Sequence, residues 1–292
     1  MDDAKAKQKE KKRKKKKRIP DPADSTMSLG DHLEELRARL ILAIIGLLVG
    51  TGICLIFGAR IIRFIQRPYI KVLRSMAADE NPQGSDPNAP SAPSDKDLVQ
   101  LQTLSPADGF VSYVKIALIS GLLLSSPWVF YQIWMFVAAG LYEHERRYVY
   151  IATPFSAALF VAGALFFVLV VAPITIGFLV KFNASVINAR SNFTFANYMS
   201  FIAMLMLVFG IAFQTPIAIY FLNRTGLVSI AALRKSRKFV FLGVFIVGAM
   251  VTPPDFISQV TLAIPLYLLF ELGIVLSYLA GRRAKLQKAG AS

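Results

Sequence analysis

Little in this chain can do covalent chemistry. Cys54 is the sole cysteine, so no intrachain disulfide and no thiolate metal cluster can form. His32 and His144 are the only imidazoles, and both fall outside the long apolar runs. An intramembrane Ser–His pair is thereby excluded. The patterns HExxH and GxxxxGK[ST] are absent, which removes the zinc-protease helix and the phosphate-cradling loop. No catalytic residue, metal ligand set or cofactor is expected. Charge is also sparse. Only 17% of the 292 residues are Asp, Glu, Lys or Arg, where a soluble domain carries roughly a quarter.

What is present is apolar and clustered. Hydrophobic residues make up 55% of the chain, gathered into runs separated by short polar stretches. A hydrocarbon core of ~30 Å takes about 20 helical residues to cross. Six spans are expected, at 39–57, 109–138, 150–172, 195–222, 239–251 and 257–280, giving an all-α integral membrane protein. The fifth is short, rising only about 20 Å. Prolines 127, 154, 173, 216 and 265 read as kinks and boundaries.

The net charge of +15 is largely local. Residues 1–18 carry 11 Lys or Arg against Asp2, Asp3 and Glu10. This stretch has no aromatic side chain to stack on bases, so it reads as a disordered basic tail near anionic membrane lipids rather than a nucleic-acid site. Its lysines lead into Pro20, Asp21 and Pro22, not into an apolar segment, so it does not read as a secretory signal. Counting Lys and Arg on the two faces gives 24 on the side of both termini and 8 on the other. The positive-inside bias then places both ends in the cytoplasm. The expected organisation is a basic tail over 1–26, a membrane domain over 27–280 and a second basic cytoplasmic tail over 281–292. Residues 79–97, rich in Pro, Ser, Asp and Asn, read as a flexible extracytoplasmic insert. Just before them, Ile62, Ile65, Tyr69 and Val72 fall at helical spacing with basic residues between, the pattern of a helix lying on the membrane surface.

Three polar constellations stand out. In SLGDHLEELRARL (28–40), Glu35 can pair with Arg39 at i, i+4 and Glu34 with Arg37 at i, i+3. In LYEHERR (141–147), Glu143 has Arg146 and Arg147 within reach, but Glu145 has no basic residue at i±3 or i±4. In a helical loop it is a carboxylate open to an external cation, and in an unstructured one it is merely solvated. Lys115, Gln214 and Glu271 fall inside spans, where polar side chains face protein or water. For Gln214 an interhelix hydrogen bond and a docking role are both open. Asp255, after Pro253-Pro254, has the position of an N-cap for the sixth span.

Taken in order, HLEELRARL (32–40), SPWVFYQIWMFVAAGLYEHERR (126–147), FGIAFQTP (209–216), LRKSRKF (233–239), VTPPDFISQ (251–259) and LAIPLYLLFELG (262–273) resemble the TatC family, core subunits of the twin-arginine protein translocase. The likeness covers about 27–280. It implies a concave six-span bundle with both termini inside, in the cytoplasmic membrane of a prokaryote. It implies a receptor for twin-arginine signal peptides, with the family's receptor carboxylates falling on Glu35 and Glu145 and with Arg37, Phe136 and Arg146 shaping the site. Gln214 falls where single-span TatA- and TatB-type partners dock. Many members carry Glu there, and glutamine keeps the hydrogen bonding without the titratable group. Pro68 and Asp255 match positions important for transport. The resemblance further implies export of folded cargo driven by the proton-motive force, and a homo-oligomer within a larger complex. A small-solute secondary transporter is the alternative class, but no internal repeat relates residues 39–172 to 195–280.

Overall fold

The computed structural model describes residues 29–80, 101–140, 146–186, 194–251 and 256–289. All regular structure among them is helical, apart from an isolated bridge between Gln102 and Thr194. The elements are α1 (Leu29–Glu80), α2 (Pro106–Ala139), α3 (Arg146–Phe166), a π-helical segment (Phe167–Val171), α4 (Ala172–Val186), α5 (Phe195–Ala212), α6 (Thr215–Arg224), α7 (Ile230–Lys235), α8 (Arg237–Val251) and α9 (Phe256–Ala289). Five continuous helical stretches are long and apolar enough to cross a membrane: His32–Ser75, Pro106–Ala139, Val149–Ala184, Phe195–Arg224 and Phe256–Arg282. The sixth apolar helix, α8, has 15 residues and rises about 22 Å, as its short apolar run predicts.

Local chemistry sets several helix starts. Ser105 opens α2 with a capping box: its hydroxyl accepts from Ala107 N at 3.4 Å, while Asp108 Oδ2 accepts from Ser105 N at 3.0 Å. Thr194 caps α5 by accepting from Asn197 N at 3.3 Å. Ser229 does the same for α7 through Ala232 N at 3.2 Å. Inside the spans, several hydroxyls turn back onto their own helix. Ser125 donates to Gly121 O at 2.8 Å and Thr153 to Val149 O at 2.9 Å, which satisfies them where no water competes.

The helices α1 and α2 form an antiparallel hairpin. Gly46, Gly50, Cys54 and Gly58 recur every fourth residue along α1, and this ridge of small side chains lets α2 approach closely. A Cβ on Gly50 would stand 2.7 Å from the Gly121 carbonyl oxygen, and one on Gly121 would stand 2.6 Å from the Thr51 backbone. Polar clasps flank this contact. Trp128 Nε1 donates to Leu42 O at 2.9 Å, and the Tyr113 hydroxyl donates to Leu55 O.

The core lies elsewhere, where α3, the π segment, α4 and α5 meet the far half of α1. Phe167, Phe209, Ala172, Met199 and Ile202 are fully buried there. Ile65, Tyr69 and Val72 of α1 belong to the same cluster. Tyr69 stacks obliquely on Tyr198, whose hydroxyl donates to Ile65 O at 2.8 Å.

This corrects the surface-helix reading of the stretch after the first span. Residues 61–76 continue α1 without interruption, through Pro68, and their apolar face packs on protein instead of lipid. A second difference concerns the fourth span, which breaks at Phe213–Gln214 into α5 and α6. Pro216, near the start of α6, lacks the N–H that a continuous helix would use. The insert is described only up to Glu80. The tail predicted over 281–292 is helical as far as Ala289.

Candidate functional site

Of the candidate receptor residues, Glu35 and Phe136 lie where the first turns of α1 meet the last turns of α2. Heptad arithmetic puts His32, Glu35 and Arg39 on one face of α1. That face meets Gln132 and Phe136, one turn apart on α2. Arg39 Nε donates to Glu35 Oε1 at 2.7 Å, and the two side chains keep 25% and 29% of their exposure. Arg39 Nη1 also donates to Gln132 Oε1 at 3.2 Å. Gln132 is 1% exposed, so the guanidinium is tied to a fixed anchor in the hairpin. The His32 ring stacks on Phe136, with centroids 4.7 Å apart and planes at 28°. The i, i+4 pair read from the sequence is therefore present and is extended across the hairpin.

Such an arrangement holds a carboxylate in place at a half-wetted edge. A fully exposed ion pair is worth only ~0–1 kcal/mol. Partial burial and an anchored guanidinium raise the value of each charge-assisted hydrogen bond towards ~1.5–3 kcal/mol. Phe136 is half-buried beside this pair and Arg37 is exposed. Gly140, which ends α2, lies against His32: a Cβ there would be 3.5 Å from its Cε1. The chain thus leaves α2 beside the Glu35 face and enters 141–145. Glu145 lies outside the described residues. Arg146 is the first residue of α3.

The remaining predicted residues lie apart from this cluster. Gln214 sits at the break between α5 and α6, where its Nε2 donates to Ser156 O at 2.8 Å. Ser156 Oγ in turn accepts from Trp134 Nε1 at 2.9 Å, and Trp134 packs edge-on against Phe221 with centroids 5.0 Å apart. Gln214 therefore joins the break to α3, and through Ser156 to α2. Pro68 is buried within α1. Asp255 lies outside the described residues, immediately before α9. Glu271 pairs with Arg237 at 2.7 Å and accepts from the Tyr267 hydroxyl at 3.0 Å, which fastens α8 to α9. Lys115 donates to Ser200 Oγ at 2.9 Å. Gln132 and Trp134 were missed by sequence reasoning. The signal was there: an amide within the apolar run YQIWMF has to find a partner.

Helices of these lengths, with leucine and isoleucine facing outward along α1, define a multi-span α-helical membrane protein. Comparison with known proteins narrows this class. The family model for the Sec-independent protein translocase protein (TatC) matches residues 31–265. The TatC of Aquifex aeolicus is 36% identical over 264 residues, covering 90% of this chain and 100% of that protein. The TatC of Escherichia coli K12 is 37% identical over 255 residues, covering 87% of this chain and 89% of its own. A crystal structure described as the twin arginine translocase receptor TatC superimposes with a TM-score of 0.70 at 34% identity, covering 86% of this chain and 99% of the other. The chain belongs to the TatC family, whose members are protein-transport components rather than enzymes.

Proposed function

We propose that this protein is the signal-peptide receptor of a twin-arginine translocase. Glu35 and Glu145 receive the guanidinium groups of the Arg-Arg pair, and Arg37, Phe136 and Arg146 shape the surface around them. The observation that carries this reading is the Glu35 carboxylate, held by Arg39 against buried Gln132 at a partly wetted edge. A guanidinium fork matches a carboxylate in plane, while an ammonium offers a point charge, so this edge favours arginine over lysine. The site faces the cytoplasm together with both termini, following the Lys and Arg asymmetry, in a prokaryotic cytoplasmic membrane. Gln214 takes part in docking single-span TatA- or TatB-type partners, and the assembly contains more than one copy of this chain. Pro68 and Asp255 act at the transport step on the opposite side. Movement of folded cargo draws on the proton-motive force, where one charge crossing 100 mV is worth about 2.3 kcal/mol.

The test is binding of a fluorescent twin-arginine signal peptide to the purified protein in nanodiscs, compared with Glu35→Ala and Glu145→Ala. Each variant should bind about tenfold or more weakly, the loss of one charge-assisted hydrogen bond, while eluting as folded protein. Wild-type affinity in both variants would remove the site assignment.

A further inference from the structure

Beyond its first apolar stretch, α1 carries Arg60, Arg63, Arg67, Lys71 and Arg74, all exposed. At 100° per residue they fall within an arc of about 80° and climb about 21 Å. The opposite face is committed to the protein core, with Ile65, Tyr69 and Val72 at 1%, 5% and 7% exposure. The stripe is therefore fixed in direction. No acidic residue occurs between Glu35 and Asp79, or between Glu145 and Asp255. Among the described residues, the body of α1 before Asp79 and the helices α4 and α5 packed against it thus offer no carboxylate to Arg60, Arg63 or Arg67. On α2, Asp108 is already engaged in the capping box with Ser105.

Depth identifies what the stripe meets. Residues 40–57 rise about 27 Å, close to the ~30 Å of hydrocarbon. Arg60 emerges at the headgroup level, and Arg63 and Arg67 follow within about 10 Å. Arg60 Cζ lies 5.5 Å from the Phe57 ring centroid, and Arg67 Cζ lies 5.5 Å from that of Phe64. Arg63 Nε donates to Ala59 O at 3.2 Å, which lays its guanidinium along the helix. Cationic tips above aromatic and aliphatic bodies suit the boundary between acyl chains and headgroups. In the orientation proposed above, these charges sit on the side that the positive-inside bias depletes.

We propose that this stripe binds anionic phospholipid, through the phosphodiester of a phosphatidylglycerol-type headgroup in the leaflet opposite the chain termini. Arg60, Arg63 and Arg67 make the direct contacts, because an arginine fork chelates a phosphate oxygen pair. Lys71 and Arg74 extend the attractive field by about a Debye length of ~8 Å. The receptor residues lie at the other end of α1, so the two functions can be lost separately.

Full-length protein in a mild non-ionic detergent is titrated with short-chain phosphatidylglycerol or phosphatidylcholine, and native mass spectrometry counts the lipids retained. Wild type should retain phosphatidylglycerol about tenfold better than phosphatidylcholine, and rising salt should erode the difference. The triple variant R60Q/R63Q/R67Q should retain several-fold less phosphatidylglycerol than wild type, keeping only the share held by the basic N-terminal residues, and K71Q/R74Q should lose less. If the triple variant unfolds, R63Q alone should weaken retention about threefold with unchanged thermal unfolding. Equal retention by wild type and folded variants would overturn the proposal. So would displacement of the lipid by inorganic phosphate, which would assign the stripe to a free anion. Preferential capture of a polyglutamate peptide over the lipid would instead make it a protein-docking face, again against the proposal.

Discussion

The two halves of the bundle are built on different principles. In the hairpin of α1 and α2, Leu40, Ile44, Ile45, Leu48 and Val49 face outward, and only 11% of the most apolar stretch of α1 is buried in protein. In the stretch Val149–Ala184 that share is 50%, and Phe167 meets Phe209 with ring centroids 5.3 Å apart. Lipid tails are as apolar as leucine, so exposure costs the hairpin little. What holds it is a line of specific contacts: Gly50 on Gly121, Trp128 on the Leu42 carbonyl, and Arg39 on Gln132. Of the candidate receptor residues, Glu35, Arg37 and Phe136 therefore ride on the half that faces lipid, while Arg146 opens α3 of the packed half. That division lets peptide affinity and thermal stability be changed independently.

The largest expected effect is in the packed half. Phe209→Ala leaves a cavity at a fully buried site and should cost about 3–5 kcal/mol, read as a lowered unfolding temperature in detergent. Protein that stays folded should bind the twin-arginine peptide as before. Next comes Glu35→Ala, which should cost about 1.5–3 kcal/mol of peptide affinity with a much smaller change in unfolding temperature. An equal loss of both in either variant would break the contrast between the halves. Gly50→Ala drives a methyl into the Gly121 carbonyl and should cost about 1–3 kcal/mol. Because this strain acts on the hairpin, peptide binding should weaken along with stability, unlike for Phe209→Ala. The smallest effect belongs to Gln214→Leu. It removes one hydrogen bond to Ser156 O and should cost about 0.6 kcal/mol of stability, with peptide binding unchanged and co-purification of single-span partners reduced. Partner recovery at the wild-type level would leave Gln214 a structural residue only.

The sequence made the spans legible because apolar length is a direct demand of the bilayer. It also showed that α8 is short and that Glu35 and Arg39 are one turn apart. Periodicity reveals an apolar face but not what covers it, which is why Ile65, Tyr69 and Val72 pointed to a lipid surface when their partners are α4 and α5. The break at Gln214 was signalled by Pro216, read as a kink, but the apolar run up to Phe213 hid that the helix stops there and restarts at Thr215. Gln132 escaped notice for a related reason: its partner, Arg39, is 93 residues away along the chain, beyond any local pattern. The basic stripe on α1 was visible as spacing, but only the buried opposite face fixes its direction.

A fixed carboxylate edge should select arginine pairs over lysine pairs. The most direct measurement is the affinity of the wild-type protein in nanodiscs for a signal peptide carrying Arg-Arg and for the same peptide carrying Lys-Lys. The arginine peptide should bind at least about tenfold more tightly. Equal affinity for the two would contradict it, since charge alone would then explain the binding.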